Sequence, residues 1–206
     1  MIRVALIDDH PVVLQGLQTA LVTVSDIQIV GSGGTFAEAS EMVARVDVDV
    51  LLLDIRLPDG NGLELLGVAA RQGRPAVLIL SSFRSRQYVA AALRYGAHGF
   101  LLKTTPLAEL ITAIRSVAAG GTAFTTDQIR EGQAGFVKLT DRESEIVRLV
   151  LAGRSNDEIA VTLKTSRKTV EYHLSRIYER FGIMTRVELA LRADHEGWLD
   201  MPSARS

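Results

Sequence analysis

The chain has 206 residues, of which 47% are apolar and 23% charged, and its net charge is −1. That length suits one large domain or two small ones, and the composition is that of an ordinary globular protein. It contains no cysteine, which excludes a disulfide framework and thiolate metal sites and fits a reducing compartment. The histidines His10, His98, His173 and His195 are dispersed, without zinc-like spacing. The N-terminus, MIRVALIDDH, runs from strand-like sequence directly into two aspartates, unlike a signal peptide. No apolar run approaches the roughly 20 residues that span a bilayer. The expectation is a cytoplasmic protein with no membrane contact.

In chain order, five short runs rich in Val, Ile and Leu stand out: Ile2–Ile7, Ile27–Val30, Val50–Leu53, Ala76–Leu80 and Gly99–Leu102. Helical periodicity fills the intervals, over His10–Val22, Phe36–Val46, Gly62–Gln72, Arg86–Tyr95 and Pro106–Ala119. Alternating strands and helices predict βαβ units and a parallel sheet covered on both faces. The near-continuous apolar runs VLLLD and AVLIL agree, because inner parallel strands are buried on both sides. Gly31-Ser32-Gly33-Gly34 lacks a third correctly placed glycine for a dinucleotide loop and reads as a turn. After Gly120-Gly121, residues 122–136 are polar and weakly periodic, and they read as a linker.

From Leu139 onward the pattern is helical throughout. Thr140 and Glu143, Ser155 and Glu158, and Thr185 and Glu188 each have the spacing of a capping box. Gly153 and Gly182 fall where helices should stop, and Ser166 is a candidate N-cap. Four short helices in a small all-α domain result.

The polar residues of the first domain sit at strand ends: Asp8 and Asp9 after the first strand, Asp54 after the third, Ser81 after the fourth and Lys103 after the fifth. Ligand crevices in open parallel sheets form beyond those carboxyl ends. Gathered carboxylates repel unless a cation intervenes, and Mg²⁺ suits a few carboxylates combined with phosphate oxygens. A carboxylate can also act as a nucleophile towards phosphorus. Asp54-Ile55-Arg56 places arginine where an Asp-x-Asp phosphatase needs its general acid, which argues against that chemistry.

This residue set resembles that of response-regulator receiver domains over about residues 1–120. The resemblance implies a flavodoxin-like, doubly wound five-stranded parallel sheet. It also implies that Asp54 is the phospho-acceptor. Asp8, Asp9, Asp54 and the backbone carbonyl of Arg56 would hold Mg²⁺, while Ser81 and Lys103 grip the phosphoryl oxygens. Phe100 stands where the family has a switching aromatic, and together with Ser81 it would form the switch. Thr104 replaces the proline that often follows the lysine.

Further on, SRKTVEYHLSRIYERFG places Val170, Leu174, Ile177 and Phe181 on one helical face. Arg167, Lys168, Glu171, Tyr172, Ser175, Arg176 and Arg180 lie on the other, with Thr169 near the helix start. Preceded by a helix over Asn156–Leu163 and a turn at Lys164-Thr165, this is a helix-turn-helix whose second helix would enter the major groove. From Lys164 to Arg186, six basic residues stand against two acidic ones, a balance that suits phosphate contact. The span from Leu139 to Ala190 resembles the LuxR-type DNA-binding domain, and the whole chain resembles the NarL/FixJ class of response regulators. Lys164 stands where glycine usually makes the turn, and Glu171 where lysine is frequent. A carboxylate at position 171 either reads a cytosine amino group, repels phosphate or faces solvent. His173 reads as a packing or phosphate-contacting residue.

The expected organisation is a receiver domain over 1–121, a linker over 122–136 and a DNA-binding domain over 137–206. The expected partners are a sensor histidine kinase, double-stranded promoter DNA and a second copy of the chain, with the last helix, Thr185–Asp194, as the dimer surface. Two rival readings are a receiver indifferent to phosphorylation and a small-molecule phosphotransferase or hydrolase. The intact acidic set weighs against the first, and the missing general acid against the second.

Overall fold

The computed structural model describes residues 1–45, 47–133 and 139–199. The helix end expected at Val46, the linker residues 134–136 and the domain residues 137, 138 and 200–206 lie outside them. The chain divides into two compact units, the first containing the described residues up to 133 and the second those from 139 to 199.

The first unit is a five-stranded parallel sheet. Its strands are β1 (Ile2–Ile7), β2 (Ile27–Gly33), β3 (Val50–Asp54), β6 (Ala76–Ser81) and β7 (Gly99–Leu102), and their order is β2-β1-β3-β6-β7. A two-residue hairpin, β4 (Arg56–Leu57) with β5 (Gly60–Asn61), follows β3. The helices are α1 (Pro11–Leu21), α2 (Phe36–Ala44), α3 (Leu63–Gln72), α4 (Arg86–Arg94) and α5 (Leu107–Ala118). Alternate residues of the inner strands enter different cores. Val4, Leu6, Val50, Leu52, Leu78 and Leu80 pack with Leu21 of α1 and with Leu110, Ala113, Ile114 and Val117 of α5. Their neighbours Ala5, Ile7, Leu51, Leu53, Val77 and Ile79 are equally buried. Burial on both faces is what makes these strands read as unbroken apolar runs.

One strand end and one connecting stretch differ from the sequence reading. β2 continues through Gly31–Gly33, which the reading made a turn. The glycines are there because side chains occupy the space a Cβ would need: a Cβ on Gly31 would lie 2.7 Å from Met42 Sδ, and one on Gly33 2.7 Å from Glu38 Cβ. The stretch read as a linker contains α6 (Thr126–Gln133), which belongs to the first unit and packs on α4.

The second unit holds α7 (Asp141–Leu151), α8 (Asn156–Thr162), α9 (Arg167–Phe181) and α10 (Arg186–His195). Thr140 with Glu143 and Ser155 with Glu158 close complete capping boxes. At α10, Thr185 accepts from the Glu188 N–H, but the Glu188 carboxylate caps the Met184 N–H instead, so the third box is not reciprocal. Gly153 and Gly182 terminate their helices at φ 73° and 62°. Lys164, in the turn between α8 and α9, has φ 50° and is the only non-glycine with positive φ among the described residues. An L-residue in that conformation costs about 1–2 kcal/mol.

Ile146, Val147, Ile159, Val170, Ile177 and Leu189 form the centre of this small core. Trp198, the only tryptophan, is buried against it with its ring 4.5 Å from that of Phe181. Ile177→Ala removes a fully buried branched side chain. It is expected to destabilise this unit by about 2–5 kcal/mol, read as a shift in the denaturant midpoint of Trp198 fluorescence.

Candidate phosphoryl-acceptor pocket and nucleic-acid interface

The order of strands reverses between β1 and β3, and the ends of those strands carry the aspartates. Asp8 is fixed by its backbone N–H donating to Gly33 O at 3.1 Å, at the end of the extended β2. Its carboxylate accepts from the His10 N–H at 2.9 Å. Asp54 ends β3 beside Leu80 of β6. Behind it, Gly62 donates to Ile55 O at 2.8 Å, and a Cβ on Gly62 would sit 2.3 Å from the Asp54 carbonyl oxygen. Only glycine lets the chain return this close to the acceptor's own backbone.

Asp8 and Asp54 are both buried, at 2% and 6% exposure. Lys103 Nζ lies 2.7 Å from Asp8 Oδ2 and 2.7 Å from Asp54 Oδ2, bridging them. Burial, with the nearby Asp8 carboxylate, raises the Asp54 pKa against the opposing hydrogen bond and charge of the Lys103 ammonium. Burial alone would lower the Lys103 pKa, but hydrogen bonds to Asp54 and Asp8 outweigh that and raise it. The lysine is therefore held charged between two carboxylates, one of them at an acidity that solvent would not give it.

Asp9 is exposed at the lip of the pocket, with its carboxylate 2.6 Å from His10 Nδ1. Ligand atoms of Asp8, Asp9, His10 and Asp54 all lie within 4.8 Å of one another. A donor set of three carboxylates, two of them buried, fits a hard divalent cation with oxygen ligands. His10 escaped the sequence reading because its spacing to the other histidines was tested, whereas its position next to Asp9 was the informative signal.

Ser81 ends β6, next to β7 and Lys103; the Lys103 N–H donates to Ser81 O at 2.8 Å. Its hydroxyl donates to Phe83 O at 3.0 Å and accepts from the Phe83 N–H at 3.2 Å, so it is engaged with its own loop. Phe100 lies on β7 with its ring buried, at 1% exposure. Arg56 opens the β4–β5 hairpin, and its Nε donates to the hydroxyl of the buried Tyr88 on α4 at 3.0 Å.

On α9, Val170, Leu174 and Ile177 are buried and Phe181 packs against Trp198, as the face assignment requires. Arg167, Lys168, Glu171, Tyr172, Ser175, Arg176 and Arg180 are exposed. Thr169 is half-buried, with its hydroxyl 2.8 Å from Ser166 Oγ. Glu171 is an ion-pair partner: Arg167 Nε donates to its Oε1 at 2.8 Å, while Arg167 Nη1 donates to Asp157 at 3.1 Å. Arg180 braces the domain by donating to the buried Glu143 carboxylate at 3.0 Å. Burial alone would raise the Glu143 pKa, but hydrogen bonds from the Thr140 N–H and Arg180 outweigh it and the pKa falls.

A model of the response regulator receiver domain matches residues 4–115, and one of bacterial regulatory proteins of the luxR family matches residues 137–193. The chain therefore belongs to the response regulators that join a receiver domain to a LuxR-type DNA-binding domain. It is 36% identical to the transcriptional regulatory protein MctR of Rhizobium johnstonii, an alignment covering 94% of each chain. It is 39% identical to the transcriptional regulatory protein UhpA of Salmonella typhimurium, over 96% of this chain and 100% of that one. A crystal structure of the response regulator ChrA, from a heme-sensing two-component system, is 31% identical with a TM-score of 0.55, covering 96% of this chain and 98% of the other.

Removing the bridging cation should expose the balance in the pocket. In metal-free Lys103→Met, the main offset to burial is lost and only the Ile55 N–H still favours the carboxylate, so the Asp54 pKa rises further. Folded Asp54 then binds its proton more tightly than the unfolded chain does. Stability should fall more steeply than in wild type as pH rises above the ordinary carboxylate range. Carboxyl-carbon NMR titration of both proteins checks the first statement, and thermal melts across pH check the second.

Proposed function

We propose that this protein is a transcription regulator switched by phosphorylation of Asp54. The observation that carries the reading is the ammonium of Lys103 at 2.7 Å from both Asp8 and Asp54, with Asp9 at the pocket's lip. A carboxylate oxygen of Asp54 attacks the phosphorus of a phosphohistidine on a sensor kinase. The new P–O bond forms as the P–N bond breaks, and the bond pair stays on the departing nitrogen, so the histidine leaves as a neutral imidazole that keeps the proton its other ring nitrogen already carried. Asp8, Asp9, Asp54 and the backbone carbonyl of Arg56 would hold Mg²⁺, which when bound offsets negative charge on the phosphoryl oxygens. Lys103 supplies a second positive charge to the same oxygens, and the Ser81 hydroxyl turns from Phe83 to donate a hydrogen bond. Phe100 and Ser81 then report the modification. A separate step, in which water attacks the phosphorus, the bond to the Asp54 oxygen breaks and inorganic phosphate leaves, is the only turnover this reading assigns to the protein.

An apolar recess of about 180 Å³ between α1 and α5, walled by Val13, Leu17, Leu107, Leu110 and Lys103, adjoins the pocket and suits a docking kinase helix. No described helix is long and apolar enough to cross a membrane, and a DNA-binding partner of a kinase belongs in the cytoplasm.

With acetyl phosphate and Mg²⁺, intact-mass analysis should show one added phosphate, and Asp54→Asn should show none. A wild-type spectrum without the adduct, or an adduct retained in Asp54→Asn, would overturn this reading.

The second unit is proposed to bind promoter DNA as a homodimer. One α9 reads too few base pairs for useful specificity, and two half-sites remedy this. Val187 and Leu191, one turn apart on α10 and 68% and 62% exposed, offer an apolar stripe for the second copy. On α9, Lys168, Thr169 and Arg176 face phosphates, as does the exposed part of Arg180 whose Nη2 holds Glu143, and Tyr172 and Ser175 face base edges. The Arg167–Glu171 pair acts as one reading head, in which Glu171 accepts from a cytosine amino group while Arg167 is held in place by the carboxylates. A base-directed contact of this kind is worth about 1–3 kcal/mol of discrimination. In vitro selection with wild type and Glu171→Gln should return operators that differ at one base position per half-site. Identical selected sequences would remove Glu171 from base reading.

A further inference from the structure

The helix α4 is buried over six consecutive residues, Gln87–Ala92, which is more than one full turn. A helix covered all round has neighbours on both sides. The sheet and α3 lie on one side, and on the other lies α6, outside the five-strand fold proper. Three attachments hold α6 there. The Gln128 side-chain amide, itself buried, donates to the Phe100 carbonyl oxygen at 2.9 Å. Arg84, in the loop between β6 and α4, donates to Glu131 Oε1 at 3.2 Å. Gly132 lies so close to Leu93 of α4 that a Cβ there would stand 2.2 Å from Leu93 Cδ1. Upstream, Ala123 donates to His98 O at 2.7 Å, which lays the chain along the edge of β7.

These attachments touch the two elements that a phosphoryl group on Asp54 would disturb. Arg84 follows Ser81 by three residues, and the Ser81 hydroxyl is bonded to Phe83 within the same loop. Phe100 is the residue whose carbonyl Gln128 holds. The attachment is also imperfect: Glu131 Oε2 is buried with no hydrogen-bond partner among the described residues. An unpaired buried carboxylate oxygen favours release, because water satisfies it as soon as the helix lifts.

We propose that α6 is a releasable strap, docked on α4 in the unmodified chain and let go when Ser81 and its loop turn towards a phosphorylated Asp54. The inference rests on the reading of Asp54 as the acceptor. Turning Ser81 pulls Phe83 and Arg84 out of their present geometry, which loosens the ion pair to Glu131. Movement at Phe100 withdraws the acceptor that Gln128 needs. Because α6 is the last element before the second unit among the described residues, its release converts a change at residue 54 into a change in the chain that leads to that unit. The outer face of α4 is uncovered in the same event.

The chain's lack of cysteine allows a direct test. A Cβ placed on Gly132 lies 3.6 Å from Leu93 Cβ, within the 3.5–4.5 Å that a disulfide requires. In full-length Leu93→Cys/Gly132→Cys, mild oxidation of the unmodified protein should close this bond readily. After acetyl phosphate and Mg²⁺, with intact mass reporting the phosphorylated fraction, closure should be about tenfold slower, the effect of losing one buried hydrogen bond. A phosphorylated protein that closes at the unmodified rate overturns the strap alone, as does an unmodified protein that fails to close. A spectrum without phosphate overturns the acceptor reading and the trigger with it.

A second variant avoids the cysteines. In Gln128→Glu the shape is kept but the donor to Phe100 O is lost. Amide hydrogen exchange over residues 122–133 and α4 should then rise about tenfold without any phosphodonor. Unchanged exchange also overturns the strap.

Discussion

Two carboxylates and one ammonium, closed off from water at the end of a parallel sheet, set the terms for the rest of this molecule. Burial pushes the Asp54 carboxyl up from its ordinary value, and Lys103, from a third strand end, opposes this with a positive charge 2.7 Å from both Asp54 and Asp8. The arrangement is costly in isolation, because burying charge is repaid only when every partner is in place. The sheet meets that demand by fixing each element: Asp8 by the far end of β2, Asp54 by the glycine at 62, Lys103 by its bond to Ser81. A site so constrained is sensitive to an added charge, and sensitivity is what a switch requires.

How the change travels depends on packing. α4 is sandwiched, and its neighbours are the loop that follows Ser81, the Arg56 side chain through Tyr88, and α6. Each of these is tied to the pocket or to β7 by hydrogen bonds or ion pairs: Phe83 to the Ser81 hydroxyl, Arg56 to the Tyr88 hydroxyl, and Gln128 of α6 to the Phe100 carbonyl. Such ties are directional and can be exchanged for water or for another partner at small net cost. The apolar core between the sheet and α1 and α5, in contrast, has no such exchange available and holds its shape.

The parallel sheet and its acidic rim were legible in the sequence because burial on both faces leaves unbroken apolar runs, and because the polar residues interrupt them only at their ends. Val50–Asp54 shows both signals in five residues. The helix-turn-helix was legible through its caps, where Thr140, Ser155 and Ser166 mark backbone donors needing a partner. What escaped had no local signature. β2 runs through Gly31 and Gly33 because Met42 and Glu38, on the helix α2 that folds back beside it, take the space of their side chains. Helix α6 is polar and short, and its reason for existing lies in Phe100 and Leu93, which no periodicity within 122–136 reveals. Glu171 stands out in the sequence, and its ion pair with Arg167 follows the i,i+4 spacing of a helix face.

Lys164 carries one further implication. Its left-handed backbone is a fixed burden on the turn, indifferent to the surrounding medium. The ammonium it brings to that turn is exposed, and whatever attraction it exerts on a polyanion fades as ions accumulate around both. Dilute electrolyte therefore favours lysine at this position and concentrated electrolyte favours glycine. The residue found there ties the helix pair to the ionic conditions of its compartment.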